Sequence, residues 1–323
     1  HCPAKQIIFQ PSATVSLNVI IQGVIANGAK NIYISPFEHN AVTRVLHRFE
    51  SEEKIKVHLL TVTKDLTFDI QRIKFQFDDV KPDFVIISHA SNVLGVIVPY
   101  EQVFTLAKKY NAITLLDMAQ TAGLVDVDAG QEIVDFAVFA GHKTMYGPTG
   151  ISGFAMKPSC QLEPILFGGT GFESANQDMP TVLPERFEIG TMNTQAVAGL
   201  YAALKWIEET GVQVLFEREK ENRKRLIDLL NSYVFLKVIG DSAKVNYVGI
   251  VSCVIDGISS DTAGQLFAER KIAVRTGLHC APLAHKFIGT FPAGTIRFST
   301  SFFTTDEDFE ELRQVLDDIE DNL

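Results

Sequence analysis

Long apolar runs are missing from this sequence of 323 residues. No stretch reaches the roughly 18 apolar residues that a membrane-spanning helix requires, so we expect no transmembrane segment. The first residues, "HCPAKQIIFQ", also lack the apolar core of a signal peptide. Positive charge is not in excess, since 29 Lys and Arg stand against 39 Asp and Glu, for a formal net charge of −10. This balance argues against a general binder of nucleic acids or anionic membranes.

Cysteine is equally scarce. The four cysteines, Cys2, Cys160, Cys253 and Cys280, form no CxxC pair and no disulfide-dense spacing. This scatter favours a reducing, cytoplasmic location. We expect Cys253, inside the apolar run "VGIVSCVID", to be a small buried hydrophobe. The eight histidines show no metal-ligand spacing, so we expect no metal site.

What the sequence does contain is a series of short apolar runs separated by helical patterns. Most of the runs are apolar at consecutive positions, which predicts strands that are buried on both faces. The predicted strands are "QIIF", "NIYIS", "KVHLLTV", "DFVIIS", "AITLLD", "DFAVFA" and "SGFAM". Between the fourth and the fifth, "PYEQVFTLAKKYN" carries one apolar helical stripe between Pro99 and Asn111. This alternation predicts an α/β fold with a mostly parallel sheet and helices on its faces.

The pattern changes near Thr194. Two long amphipathic helices are predicted in "TQAVAGLYAALKWIEETG" and "VLFEREKENRKRLIDLLNSY". Strands follow in "YVGIVSCVID", "KIAVRTG" and "GTIRFSTS", with a helix from Asp261 and a last helix capped by Thr304 or Thr305. We therefore expect a large α/β domain over residues 1–205 and a smaller α+β domain over residues 206–323. Because the chain enters a strand almost at once, we also expect the biological domain to have residues upstream.

Two charged residues follow buried strands of the predicted sheet. Asp117 ends "AITLLD", and Lys143 comes directly after "DFAVFAGH". Since parallel strands end at the same edge of a sheet, we expect both side chains at that edge. One interpretation is a structural ion pair, or a helix cap for Asp117. The other is a pyridoxal phosphate site, in which the lysine forms a Schiff base and the aspartate keeps the pyridine nitrogen protonated.

Six segments of the sequence occur in the order found in cysteine desulfurases and selenocysteine lyases. They are "ISHASNVLGVIVP", "LLDMAQTAG", "GHKTMYGPTGISG", "RFEIGTMNT", "RTGLHCAPL" and "GTIRFSTSFFTTDEDFEEL". The sequence therefore resembles the class V aminotransferase group, whose members are pyridoxal-phosphate-dependent enzymes of fold type I. The resemblance extends from about residue 7 to residue 320. It implies a large cofactor-binding domain with a mostly parallel sheet and a smaller C-terminal α+β domain.

The resemblance implies roles for five residues around the cofactor. Lys143 is the expected Schiff-base lysine, and Asp117 is the expected partner of the pyridine nitrogen. Gln120 is expected to donate a hydrogen bond to the phenolic oxygen of the cofactor. His39, in "SPFEHNAV", resembles the histidine that stacks on the ring and transfers protons. His142 resembles a phosphate ligand.

Further residues are implied for the phosphate and the substrate. Ala13 and Thr14 occupy the expected phosphate-binding turn, which opens the first helix. Thr191 resembles the threonine that reaches the phosphate of a neighbouring subunit, which implies a homodimer with shared active sites. Asn92 resembles an asparagine near both cofactor and substrate. Arg297 resembles the arginine that binds the α-carboxylate of the amino acid, and a structural salt bridge is its alternative role.

Cys280 lies in "RTGLHCAPL", which resembles the short cysteine-bearing loop of the sulfur-mobilising and selenocysteine-lyase branch. The resemblance implies that Lys143 removes the α-proton of L-cysteine and that the Cys280 thiolate attacks the substrate sulfur. The products are then alanine and a persulfide on the enzyme. We expect neighbouring Arg275 and His279 to favour the thiolate. Selenocysteine is an alternative substrate, and a sulfur-acceptor protein is a further expected partner.

The sequence departs from the family pattern at three places. Ala140 stands where the family usually has Ser or Thr, Ser12-Ala13 replaces a more usual glycine-containing turn, and the family's N-terminal segment has no counterpart. Two alternatives therefore stay open. One is another class V reaction, such as transamination, epimerisation or carbon–sulfur cleavage. The other is an inactive scaffold that docks a sulfur-acceptor protein.

Overall fold

A computed structural model describes residues 2–322 and divides them into two units. The large unit comprises the residues up to Val62 together with Phe68–His89 and Pro99–Val212. The small unit comprises Thr63–Thr67, Ala90–Val98 and the residues from Gln213 onward. Two short internal segments thus belong to the small unit although the large unit flanks them in sequence.

A seven-stranded sheet forms the centre of the large unit. Its strands are β1 (Ile7–Gln10), β2 (Asn31–Ile34), β3 (Lys56–Leu59), β4 (Phe84–Ser88), β5 (Ile113–Asp117), β6 (Phe136–Ala140) and β7 (Ser152–Met156). Across the sheet the order is β1-β7-β6-β5-β4-β2-β3. Strands β2 to β6 are parallel, and β7 runs antiparallel to both β6 and β1. The strand β1 is therefore parallel to β6, and the two strands end at the same edge of the sheet.

The sequence prediction of a mostly parallel α/β sheet is confirmed. Each of the seven predicted runs is a strand of this sheet. Strands β4, β6 and β7 are buried at every position, as consecutive apolar residues indicate. The strand β3 lies at an edge and has no fully buried residue, because it has a neighbour on one side only.

Five α-helices lie in the large unit: α1 (Ala13–Ala26), α2 (Asn40–Ser51), α3 (Ile70–Asp79), α4 (Tyr100–Lys108) and α5 (Thr194–Thr210). A short 3₁₀ helix, Ala4–Gln6, precedes β1. Helix α4 buries Val103, Phe104 and Ala107 of the predicted stripe, and Asn111 follows it with a φ of 61°. Helices α2 and α3 are additional to the predicted elements. None of the helices in residues 2–322 has the length and apolar character needed to cross a membrane.

The small unit is built on an antiparallel sheet of order β10-β11-β9-β8. Its elements are α6 (Val212–Leu230, of which Val212 belongs to the large unit), β8 (Leu236–Ile239), β9 (Ile250–Ile255), α7 (Ser260–Glu269), β10 (Arg275–Gly277), α8 (Pro282–Ile288), β11 (Thr295–Ser299) and α9 (Asp306–Glu320). Only the last three residues of the predicted strand "KIAVRTG" form β10, and β8 and α8 are additional elements. Thr305 is the N-cap of helix α9 and forms a reciprocal capping box with Asp308.

Apolar side chains from these helices and strands form one core in the small unit. Leu230, Phe267 and Leu316 are fully buried in it. Cys253 is also fully buried there, as its apolar sequence context predicts. Burial raises the pKa of the Cys253 thiol to about 12, so this cysteine is inert at neutral pH.

The edge strand β1 of the large sheet is bonded to a later segment of the same unit. The amide of Phe9 donates to Glu188 Oε1 at 2.8 Å, and Gln10 Nε2 donates to the carbonyl of Phe187 at 2.8 Å. Burial raises the pKa of the Glu188 carboxyl. One outward-facing amide of β1 is therefore satisfied without a neighbouring strand.

Candidate active site

Asp117 and Lys143 lie at the carboxyl edge of the large sheet. Asp117 is the last residue of β5 and pairs with Val138 of β6, and Lys143 follows the end of β6. Asp117 is only 5% exposed and accepts a hydrogen bond from the amide of Ala119 at 2.9 Å. Burial raises the pKa of Asp117, and the positive charge of Lys143 opposes that rise. The structure thus brings the amine and the carboxylate together, as the sequence predicted.

The loop that carries Lys143 closes on itself. The amide of Gly147 donates to the carbonyl of Gly141 at 2.8 Å. A Cβ atom on Gly141 would lie 2.5 Å from the carbonyl oxygen of Ile151, so only glycine fits there. Lys143 itself is half-buried. The side chain of His142 reaches the surface, and desolvation of its ring, followed by the charge of Lys143, lowers its pKa.

The turn that opens α1 lies at the same edge as Lys143. Gln10 at the end of β1 and Ala140 at the end of β6 both pair with Ser152 of β7, from opposite sides. Since neighbouring strands are about 4.8 Å apart, the two strand ends are separated by roughly 10 Å. The sheet register therefore brings the start of α1 near the Lys143 loop.

The first turn of α1 is suited to an anion. Ser12 is the N-cap, and its hydroxyl accepts a hydrogen bond from the amide of Val15 at 3.2 Å. Within residues 2–322 the amides of Ala13 and Thr14 have no acceptor. Free amides at the positive end of a helix favour a phosphate. The placement agrees with the phosphate-binding role expected for Ala13 and Thr14, and that role stays a prediction.

His39 is the N-cap of α2. Its Nδ1 accepts a hydrogen bond from the amide of Ala41 at 3.0 Å, which assigns the ring proton of the neutral imidazole to Nε2. The side chain is half-buried. The cap therefore fixes the orientation of the ring.

Glu38, for which no sequence motif indicated a role, is fully buried. Its Oε1 accepts hydrogen bonds from the hydroxyl of Ser35 at 2.6 Å and the amide of Ser88 at 2.7 Å. Its Oε2 accepts from the hydroxyl of Ser88 at 2.7 Å. Burial raises the pKa of Glu38 to about 7, and the charge of Asp117 adds to the rise. Glu38 thus connects the loop before His39 to the end of β4. Its signal in the sequence is a carboxylate placed shortly after the apolar run "NIYIS", between Phe37 and His39.

His89 is a second buried group whose role the sequence did not indicate. Its amide donates to the carbonyl of Asp117 at 2.9 Å, and its Nδ1 lies 2.9 Å from the hydroxyl of Thr121. Its ring packs edge-on against Tyr100, with centroids 5.1 Å apart. Burial lowers the pKa of His89 to about 4, so the ring is neutral at physiological pH. His89 therefore supports the loop that follows Asp117.

Two other predicted cofactor residues of the large unit make no side-chain hydrogen bond or ion pair within residues 2–322. Gln120 is half-buried in the turn after Asp117, and Thr191 is exposed shortly before α5. The hydrogen bond expected from Gln120 stays a prediction. The subunit-bridging role expected for Thr191 also stays a prediction.

The small unit holds the predicted substrate residues Asn92 and Arg297. Arg297 lies in β11 opposite Arg275 of β10, and its guanidinium donates to the carbonyl of Asn92 at 2.8 Å. Burial lowers the pKa of Arg297, and the charge of Arg275 adds to this effect. In residues 2–322, Arg297 Nε is buried without a partner and no carboxylate forms an ion pair with the side chain. The structural salt bridge considered for Arg297 therefore has no acidic member, and donors remain for a bound carboxylate.

Cys280 lies in the same unit and is half-buried. The guanidinium of Arg275 donates to its sulfur at 3.3 Å. The expectation that His279 also favours the thiolate by its charge is wrong. Burial and the nearby Arg297 lower the pKa of His279 to about 3, so the ring is neutral. Arg275 is the positive group that contacts Cys280.

The residues of the large unit fit pyridoxal phosphate. They supply an amine for the aldehyde, a buried carboxylate for the pyridine nitrogen and unpaired helix N-terminal amides for the phosphate. The three groups lie along one edge of one sheet. For a metal ion, the part of the chain described contains no suitable group of three or more His, Cys, Asp or Glu residues.

Comparison with known proteins agrees with this fit. The family model for class-V aminotransferases matches residues 1–312. A probable cysteine desulfurase 2 of Mycobacterium leprae is 30% identical over 322 residues, covering 96% of this chain and 75% of the relative. A probable cysteine desulfurase of Pyrococcus abyssi is 28% identical over 324 residues, covering 98% and 80%.

Among solved structures, the apo form of a cysteine desulfurase from Thermococcus onnurineus is similar to this chain, with a TM-score of 0.89 and 28% identity. The similarity covers 99% of this chain and 80% of that one. It includes both the large sheet and the C-terminal elements. The protein therefore belongs to the class V aminotransferase family and is a pyridoxal-phosphate-dependent enzyme of fold type I.

Proposed function

We propose that the protein is a cysteine desulfurase, which converts L-cysteine to L-alanine and transfers the sulfur to Cys280 as a persulfide. The observation that carries this proposal is the contact of 3.3 Å between the Arg275 guanidinium and the Cys280 sulfur. This contact holds the sulfur in a defined position, and cysteine sulfur is the nucleophile of such reactions. The similar proteins are named cysteine desulfurase or probable cysteine desulfurase, and these names support the same reaction.

In the proposed reaction, the residues of each unit have definite tasks. Pyridoxal phosphate, when bound, supplies the electron sink that makes the bonds at the substrate α-carbon labile. Asp117 would hold the proton at the pyridine nitrogen, because a carboxylate next to that nitrogen favours its protonated form. The Lys143 amine removes the α-proton of the substrate and serves as the nearby acid–base group. The Arg297 guanidinium, whose Nε has no protein partner, binds the substrate carboxylate.

Cys280 then accepts the sulfur. Its thiolate forms the S–S bond as the bond between sulfur and Cβ of the substrate breaks, and Cβ takes the electron pair and a proton. Cysteine and the enzyme thiol thus give alanine and an enzyme persulfide. The atoms and electrons balance without an external oxidant or reductant.

Several features of the biological setting belong to the same proposal. The exposed position of Thr191 is consistent with a homodimer in which this residue serves the partner subunit. A persulfide on half-buried Cys280 can be passed to a sulfur-acceptor protein. The scarcity of cysteine favours the cytoplasm.

The test is to incubate the purified holoenzyme with L-cysteine and to measure alanine, persulfide and, after addition of a reductant, sulfide. We expect alanine and persulfide in equal amounts in a single turnover. Cys280→Ala should lower the rate of alanine formation at least about a hundredfold. The variant still positions the substrate, but it has no thiol to attack the substrate sulfur. Cys160→Ala, which removes another half-buried cysteine, is the matched control and should retain the activity. Alanine formation by Cys280→Ala at the wild-type rate would refute the persulfide step.

The alternatives give different results in the same assay. Cleavage of selenocysteine that survives in Cys280→Ala would assign selenocysteine as a substrate that does not need the thiol. Conversion of an oxo acid to an amino acid without sulfide would indicate transamination. A protein that acquires no aldehyde-derived absorbance on addition of pyridoxal phosphate would be the inactive scaffold.

A further inference from the structure

Cys280 occupies an unusual backbone conformation. The amide of Ala281 donates to the carbonyl of Leu278 at 2.8 Å, which closes a four-residue turn. Its central residues, His279 and Cys280, have φ angles of 48° and 59°. Two consecutive positive φ values are typical of a type I′ turn, which normally holds Asn, Asp or Gly. Side chains with an ordinary Cβ are disfavoured in this region, so other contacts must hold the turn.

A chain of hydrogen bonds anchors the turn through the side chain of His279. His279 Nε2 lies 2.9 Å from Thr295 Oγ1. The hydroxyl of Thr295 donates to the hydroxyl of Ser252 at 3.3 Å, and Ser252 donates to the carbonyl of Val93 at 2.6 Å. His279, Thr295 and Ser252 are each at most 2% exposed. Water therefore does not compete for these bonds.

The carbonyl of Val93, at the end of this series of hydrogen bonds, determines which group is the donor in each of them. The carbonyl of Val93 can only accept, so the Ser252 hydroxyl must donate to it. The Thr295 hydroxyl donates to Ser252, so its oxygen is left to accept the bond from His279. His279 must then carry its proton on Nε2. The neighbouring cations Arg275 and Arg297 and the ring of His285 disfavour a second proton on this ring.

A second anchor acts on the backbone of the turn. The side-chain amide of Asn92 donates to the carbonyl of His279 at 2.6 Å. Asn92 and Val93 are adjacent in sequence, so one short segment holds the turn both at its main chain and, through Ser252 and Thr295, at its side chain. His279 is therefore held both through its side chain and through its main-chain carbonyl.

We propose that His279 and Thr295 are positioning residues that hold this strained turn and thereby keep the Cys280 sulfur beside Arg275. The inference deepens the proposed function, because it rests on Cys280 as the sulfur acceptor. The side chains of His279 and Thr295 do not take part in bond making. They act by preventing the turn from relaxing to a conformation in which the sulfur points elsewhere.

The test compares Thr295→Val, which keeps the shape but removes the hydroxyl, with Thr295→Ser, which keeps the hydroxyl. Thr300→Val is the matched control, since it removes a hydroxyl just beyond the same strand, where Thr300 donates to the carbonyl of Gly249. Hydrogen–deuterium exchange at Leu278–Ala281 in the holoenzyme should accelerate about tenfold or more in Thr295→Val. Thr295→Ser and Thr300→Val should exchange at the wild-type rate.

The kinetic readout separates positioning from simple destabilisation. Thr295→Val should lower kcat for alanine formation by roughly 10–100-fold, because a small displacement of a reacting group has effects of this size. KM for L-cysteine should change less than about twofold, since no substrate-binding group is removed. Thr295→Ser should restore kcat. Wild-type exchange and kcat in Thr295→Val would overturn the inference.

Two further measurements keep the outcome unambiguous. If Thr295→Val does not fold, Ser252→Ala interrupts the same chain one step later, and it should accelerate exchange of the turn in the same direction. Unchanged exchange in a folded Ser252→Ala would then count against the inference. Cys280→Ala measured in parallel tests the proposed function alone. Alanine formation at the wild-type rate by Cys280→Ala would refute that function, while hydrogen exchange would still decide whether Thr295 holds the turn.

Discussion

The buried carboxyl of Glu38 makes the stability of the large unit dependent on pH. Its pKa is raised from 4.5 to about 7, mainly by burial. Between these values the folded protein retains a proton that the unfolded chain has released. The stabilisation from Glu38 is therefore complete below pH 4.5 and is lost as the pH rises through 7. At 1.36 kcal/mol per pKa unit, the loss amounts to about 3 kcal/mol.

Glu38→Gln should remove this pH-dependent loss of stability. A glutamine oxygen can accept the bonds from Ser35 and the Ser88 amide, and its NH₂ group can donate to the Ser88 hydroxyl. The variant therefore keeps the hydrogen bonds without a titrating group. Its free energy of unfolding relative to the wild type should rise by about 3 kcal/mol between pH 4.5 and pH 8.

The assay is urea unfolding followed by tryptophan fluorescence from pH 4.5 to pH 8. The sequence contains a single tryptophan, Trp206, which packs edge-on against Tyr146 within the large unit, with centroids 5.4 Å apart. Its emission therefore reports on this unit. Glu209→Gln, at an exposed position of α5, is the control and should show no pH-dependent change of this size. If the free energies of unfolding of Glu38→Gln and wild type differ by the same amount at every pH, the reasoning is refuted.

Two other predictions concern the small unit. Arg297→Met should raise KM for L-cysteine about 10–100-fold in initial-rate kinetics, because charge-assisted bonds to a carboxylate contribute about 1.5–3 kcal/mol; an unchanged KM would contradict carboxylate binding. Gly294→Ala should destabilise the unit by about 3 kcal/mol or more, because its Cβ would lie 2.4 Å from the carbonyl carbon of Gly277 and its φ is 76°. Gly289→Ala is the matched control, since its φ is 75° but no atom lies within 4 Å of the added Cβ. Equal losses in hydrogen-exchange protection of the two variants would show that the backbone conformation, not the clash, determines the effect.

The large sheet could be predicted from the sequence because each of its strands is recognisable from its own residues alone. Runs such as "DFVIIS" and "DFAVFA" are apolar at consecutive positions, and burial on both faces of a parallel sheet requires this pattern. The edge position of Asp117 and Lys143 follows from the direction of parallel strands. The position of a residue at the end of a buried strand, or just after it, can therefore be predicted from the sequence.

Other features depend on contacts between residues far apart in the sequence. The segments 63–67 and 90–98 belong to the small unit, which no local pattern along the chain reveals. The charge of His279 was predicted wrongly because "GLHCAP" does not show that the ring would be buried beside two arginines. The strand at "KIAVRTG" is shorter than predicted, since its pairing with β11 extends only from Arg275 to Gly277.

The carboxylate of Glu188 has a consequence for how copies of this protein behave in concentrated solution. A bare edge strand invites an extended segment from another molecule to add to the sheet. By accepting the bond from Phe9, Glu188 occupies a position that such a segment would need, and its negative charge repels acidic neighbours. Burial raises the pKa of this carboxyl, so acidification neutralises it before ordinary exposed glutamates. Mild acid is therefore the condition in which strand-to-strand aggregation through β1 should begin.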